Sequence, residues 1–134
     1  MEALLIEATE FTPKVSLDPV THRFGISGDS RPENAGKFYQ PLLAWLAQYE
    51  SVLYFQKTNY NQQQKVIFEF RLEYFNSISA KYIMEILSLL DKFFKGGYDI
   101  QVKWCYDSMD NDMKESGEDF AKLLTVPFEF SVNS

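Results

Sequence analysis

Hydrophobic positions along this chain recur every two residues in some stretches and about every 3.6 in others, and each change of period marks a change of element. Between residues 12 and 27 two short alternating runs, Val15 with Leu17 and Phe24 with Ile26, flank the turn-favouring Asp18-Pro19-Val20-Thr21. They predict a β-hairpin that pairs with little else local. In the GDSRPEN segment that follows, Ser30 and Glu33 have the spacing of a capping box and Pro32 suits a first helical turn. A helix is therefore expected to start there. Phe38, Leu42, Trp45, Leu46 and Tyr49 continue it at helical spacing, and Pro41 should kink it about midway. The amide-rich QKTNYNQQQK of residues 56 to 65 has no apolar face and predicts a surface loop.

Residues 66 to 74 alternate cleanly, with Val66, Phe68, Phe70 and Leu72 on one face and Ile67, Glu69, Arg71 and Glu73 on the other. A helix over residues 79 to 95 follows, carried by Tyr82, Ile83, Ile86, Leu87, Leu90, Phe93 and Phe94 and stopped at Gly96-Gly97. Ile100, Val102 and Trp104 share one face of a strand over residues 99 to 105. A short helix around Met113 to Leu124 and a strand near Phe128 to Phe130 complete the order β-β-α-β-α-β-α-β. The βαβ unit should make its two strands parallel through a right-handed crossover. Because both strands are apolar on one face only, the helices should gather on that side and leave the other polar. The expected fold is α/β, a four- to five-stranded mixed sheet with its helices mainly on one face, unlike a doubly wound Rossmann sheet.

The length, 134 residues, suits one domain spanning the whole chain, and 46% hydrophobic with 24% charged is the composition of a soluble globular protein. Twelve Phe, eight Tyr and two Trp supply bulk for a core that needs no disulfide. Thirteen basic against nineteen acidic residues leave a net charge of −6, which argues against nucleic acid or an anionic membrane as partner. The amino end lacks the features of a signal peptide, and the greasiest segment, residues 82 to 94, is interrupted by Glu85, Ser88, Asp91 and Lys92. A cytosolic protein with no membrane span is expected.

Most candidate chemistry reduces to structure. His22, the one histidine, lies among turn residues and reads as an ordinary surface side chain; Cys105 has no local partner and reads as a strand residue. The acidic run Asp107 to Asp119 has Asp107, Asn111 and Glu118 at calcium-loop positions, but Met109 and Asp112 stand where a ligand and a glycine are needed. GDSRPEN matches no phosphate-binding loop. No metal, cofactor or catalytic residue is assigned. Asn76-Ser77-Ile78-Ser79 differs, because it joins the carboxyl end of a strand to the amino end of the strongest helix. Backbone N–H groups and the helix dipole favour negative charge there, so a phosphate on Ser77 could be held; from position alone the ordinary reading is that both serines simply cap the helix.

Hairpin, GDSRPEN, kinked helix, strand, Asn-Ser-x-Ser, long helix, Gly-Gly and strand together resemble the STAS domain of anti-sigma-factor antagonists. More closely, GDSRPEN, LEYFNSISAKYIMEILSLLDKF, VKWCYD and VPFEF are similar to the SiaC family of bacterial regulatory phosphoproteins, from about Thr12 to Phe130. That resemblance implies a STAS-like fold and a hydroxyl directly after the Asn, here Ser77, phosphorylated by a dedicated protein kinase and dephosphorylated by a PP2C-type phosphatase. The characterised pattern has Thr at this place. The resemblance further implies that the unphosphorylated form binds and activates a diguanylate cyclase, linking the chain to cyclic-di-GMP signalling and biofilm regulation. The switch region would take in Asn76, Ser79 and Lys81 with Asp29, Ser30, Glu33 and Asn34. Lys81, one turn along the helix, could face the phosphate and Glu73 would oppose it, or Lys81 could simply be solvated. The competing reading is a small ligand-binding domain or enzyme using carboxylates such as Glu69 and Glu73 on the polar sheet face.

Overall fold

The two periodicities resolve into six strands and three helices among the residues that the computed structural model describes, 1–60 and 64–133. In chain order they are β1 (Leu4–Ile6), β2 (Lys14–Asp18), β3 (Arg23–Ser30), α1 (Ala35–Tyr60), β4 (Val66–Phe75), α2 (Ser77–Lys95), β5 (Ile100–Asp107), α3 (Asn111–Lys122) and β6 (Phe128–Asn133). The strands lie side by side in the same order. β1, β2 and β3 pair antiparallel, whereas β3 to β6 run parallel, each step bridged by one helix. Successive crossovers of one hand that advance in one direction leave their helices on a single face.

That face is the one the alternation marked. Phe68 pairs with Phe24 and Val102, Phe70 with Ile26 and Trp104, and all six are buried. The helices cover them with Tyr39, Leu42, Leu46, Tyr49 and Leu53 from α1 and Ile83, Ile86, Leu87, Leu90 and Phe93 from α2. From α3, Met113 and Gly117 are buried, and Trp104 donates its Nε1–H to the Met113 carbonyl at 2.9 Å. On the opposite face Arg71 is exposed and Glu69 and Lys103 are half-buried.

Five expectations need correction. The sheet has six strands, because β1 adds an edge to the hairpin by pairing Leu4 with Leu17 and Ile6 with Val15. Three residues are too few for alternation to show. Residues 56 to 60 are the last turns of α1 and not loop; Asn59 returns its Nδ2–H to the Phe55 carbonyl at 3.0 Å, and a solvated helix end needs no apolar stripe. Of the rest of that predicted loop, residues 61–63 lie outside the described residues. With α1 this long, Pro41 falls in the second turn instead of near the middle. His22 is buried, at 3% exposure, with a backbone φ of 59° that turns its ring inward to hydrogen-bond Tyr49 Oη. The capping box at Ser30 and Glu33 does not form: β3 continues through Ser30, α1 begins at Ala35, and Asn34 Oδ1 accepts from the Lys37 amide at 3.1 Å.

Candidate functional site at the start of helix α2

β4 leaves the sheet at Phe75, and Asn76 stops the strand in extended backbone geometry at φ −83°, ψ 175°. Its side chain accepts from the Ser79 amide at 2.8 Å and its carbonyl from the Ala80 amide at 2.9 Å, so Asn76 is the N-cap and α2 begins at Ser77, two residues earlier than the apolar pattern predicts. The Asn76 amide donates to the Ser30 carbonyl at 3.1 Å, tying this turn to the end of β3. Just before that tie the ladder slips: Gly28 pairs with Leu72 but Asp29 with Tyr74, so Glu73 is the extra residue of a bulge. Gly28 takes it up at φ +103°, a left-handed conformation that side chains disfavour. Ser30, beyond the bulge, is completely buried.

The two serines of the turn have opposite environments. Ser77 is exposed in the first helical position, where an amide has no acceptor inside the helix. Ser79 is completely buried, and its hydroxyl donates to the Ser30 carbonyl at 3.0 Å. Ser30 Oγ donates in turn to Ser79 Oγ at 2.9 Å, which leaves Tyr39 to donate its phenol proton to Ser30 Oγ across 2.5 Å. Burial raises the Tyr39 pKa, against the opposing bonds to Ser30 and Ser79, so the phenol keeps that proton at neutral pH. The chain Tyr39 to Ser30 to Ser79 to the Ser30 carbonyl thus uses all three hydroxyl protons. Tyr39 also stacks on Tyr82 of α2, with centroids 5.4 Å apart and planes at 4°.

The surface around Ser77 is shallow and of mixed polarity. Ile78 is 60% exposed and forms one wall of an open groove of about 890 Å³, whose other side is the start of α1 with Glu33, Asn34, Lys37 and Phe38. The first turn of α2 carries no acidic side chain and its last turn carries Lys92 and Lys95, so the positive end of the helix dipole is left without a counter-charge of its own. Lys81 is exposed and, among the described residues, makes no salt bridge. Of the residues singled out in the sequence, the fold joins Asn76, Ser79 and Ser30 directly, sets Glu33 and Asn34 across the groove from Ile78, and pairs Asp29 at the bulge. Tyr39, Lys37 and Ile78 were missed. Tyr39 was detectable, since the buried series 39, 42, 46, 49 and 53 has regular helical spacing.

On the open sheet face Glu69 and Glu73 do not converge, while Glu69 and Glu129 flank Lys103 in a shallow depression. Glu69 lies 3.4 Å from Arg71 and 3.7 Å from Lys103, while Glu73 lies four residues along, about 13 Å at strand rise. Cys105 is buried in β5; burial raises the pKa of its thiol, with Glu69 adding to the effect. In the acidic run, Asp107 accepts from the Met109 amide at 2.9 Å and Asp110 from the Met113 amide at 3.0 Å, which makes them turn and cap residues. Among the described residues no three His, Cys, Asp or Glu gather in a way that could hold a metal ion, and no helix is long and apolar enough to cross a membrane.

Residues 6–133 match the family model described as SiaC family regulatory phosphoprotein. The chain belongs to the SiaC family. An uncharacterized protein of Pseudomonas aeruginosa strain UCBPP-PA14 is 29% identical over 128 residues, which are 96% of this chain and 94% of that one. The crystal structure of apo-SiaC from Pseudomonas aeruginosa superposes with a TM-score of 0.83 at 28% identity, covering 98% of this chain and 99% of the other. SiaC in complex with the diguanylate cyclase SiaD, of which it is the activator, gives 0.85 at 28% identity over 97% and 99%. The chain is thus a regulatory protein of this family with its mixed α/β fold.

Proposed function

We propose that this chain is a cytosolic, non-enzymatic phosphorylation switch, one domain over residues 1–134, in which a kinase phosphorylates Ser77 and a PP2C-type phosphatase restores it. The unmodified form binds and activates a diguanylate cyclase, the activity that SiaC has toward SiaD in the related complex. The observation that carries this reading is the contrast between the two serines of one helix start: Ser77 is exposed, whereas Ser79 is buried with its hydroxyl committed to Ser30. A kinase can reach the first without disturbing the fold and the second only by breaking it. The carboxylate reading of the sheet face loses support, because Glu69 is held by two cations and stands far from Glu73.

Phosphorylation adds roughly −1.5 to −2 charges at neutral pH. At the first position of α2 that charge is stabilised by the helix dipole by about 0.3–1 kcal/mol, so the free protein tolerates it. A partner seated on exposed Ile78 would have to desolvate the phosphate beside it, and release follows. In this reading the phosphate draws on Lys81, one turn along α2, and on Lys37, which lines the groove beside Ile78, and the partner's contact region takes in Asn76, Asn34, Glu33 and Asp29.

The test is kinase-dependent phosphate mapping by mass spectrometry, followed by calorimetric titration of a diguanylate cyclase with unmodified protein, phosphoprotein, Ser77→Ala and Ser77→Asp. Unmodified protein and Ser77→Ala should bind, and phosphoprotein should bind at least tenfold more weakly. Phosphate on Ser79, or equal affinity in both phosphorylation states, refutes the switch.

A further inference from the structure

We propose that the outer edge of β6 is a self-association surface, where two copies of the chain join their sheets by antiparallel pairing of β6 with β6, about a twofold axis at Phe130. This is independent of the Ser77 switch. β6 is the last strand of the sheet and its ladder with β5 runs from Phe128 to Asn133 without a register shift. The Val102 amide donates to the Pro127 carbonyl at 2.9 Å, which fixes the phase: odd residues of β6 turn their backbone groups to β5, and even ones turn theirs outward. Phe128, Phe130 and Val132 therefore present three N–H and three C=O groups along a straight edge.

Natural edges are blunted by short strands, lysine, proline or bulges. β1, the opposite edge, is three residues long, with Glu2 and Glu7 close to its ends. β6 has six residues, no lysine or proline and a single charge, Glu129. Arg71 donates to Asn133 Oδ1 at 2.6 Å and holds the strand end against the sheet. On the helix side Phe130 is 37% and Val132 51% exposed, although they pair with the buried or half-buried Trp104 and Tyr106. The apolar row thus runs past the cover that α3 provides.

A second copy complements this edge in hydrogen bonding and sets no like charges opposite each other. With Phe130 opposite its own copy, Phe128 meets Val132 twice, so every outward N–H finds an outward C=O and apolar residues face apolar residues. Glu129 then lies opposite Ser131 and not opposite the other Glu129. The interface is self-complementary, as a closed dimer requires.

The experiment is sedimentation equilibrium of the full chain from micromolar to millimolar concentration, at low and high salt, with circular dichroism on each sample. The expected result is a reversible monomer–dimer equilibrium that strengthens with salt, since each copy carries a net charge of −6. Val132→Pro removes only an outward N–H, and Phe130→Lys puts a charge on the axis; each should weaken dimerisation at least tenfold with an unchanged spectrum. If one variant fails to fold, the other decides. A wild type that stays monomeric throughout, or a dimer unaffected by the folded variant, overturns the proposal.

Discussion

Replacing Gly117 by alanine should destabilise this protein, although the same change on an open helix face stabilises by about 1 kcal/mol through helix propensity. A Cβ built at Gly117 falls 2.4 Å from Trp104 Cδ1, 2.5 Å from Nε1 and 2.7 Å from Cγ. Carbon pairs rest at about 3.5 Å or more, so the overlap is about 1.1 Å. The indole has nowhere to move: it is completely buried, stacks on Phe70 at 5.5 Å, touches Phe120 at 5.6 Å and is tethered to the Met113 carbonyl. α3 must lift instead. Overpacking of this kind costs about 1–3 kcal/mol, and a lost tether adds about 1 kcal/mol. Set against the propensity gain, the net loss is about 1–3 kcal/mol. Urea unfolding followed by circular dichroism and tryptophan fluorescence measures it, with Glu115→Ala on the exposed side of α3 as a control near zero. Pairing Gly117→Ala with Trp104→Leu should cost less than the sum of the two single changes. A higher denaturation midpoint for Gly117→Ala, or strict additivity in that cycle, would refute the close seating of α3 on Trp104.

Two further predictions concern pH. Burial alone raises the Asp91 pKa, but hydrogen bonds from the Val126 amide, Lys95 and Thr125 outweigh this and leave the pKa below its ordinary value. Its stabilisation is therefore complete above about pH 4 and lost as pH falls through the lowered folded value. Asp91→Asn should flatten that acid limb in urea titrations between pH 5 and pH 2 and free the loop at Thr125, seen as faster amide exchange at Val126. His22 is shifted the other way for a base: desolvation lowers its pKa, with Asp18 opposing. Neutral in the fold and protonated more readily when unfolded, it should cost stability as pH falls below about 6.5. His22→Asn, which tolerates the left-handed backbone, should remove that dependence between pH 7 and pH 5; an unchanged slope would show that His22 does not titrate on unfolding.

Features that depend on neighbours a few residues away were legible before any tertiary contact was known. The alternation of residues 66 to 74 and of Ile100, Val102 and Trp104 chose the buried face of β4 and β5, and the spacing from Ile83 to Phe93 chose the buried stripe of α2. Side-chain direction follows from backbone period, so those faces needed no tertiary information. Asn76-Ser77-Ile78-Ser79 was likewise legible as the start of a helix. Which serine stays accessible was decided only when Ser30, 49 residues away in sequence, reached Ser79 and took up its hydroxyl. The same holds for Asp91, which in sequence only interrupts an apolar run; in the fold its carboxylate accepts from Thr125 and Val126 at 2.8 Å, 34 and 35 residues on. It holds for His22 with Tyr49, and for Gly117, whose missing side chain is the space that Trp104 fills. A hydroxyl, a carboxylate or an imidazole takes its role from the partner that satisfies it, and packing the helices on the sheet is what brings that partner within reach.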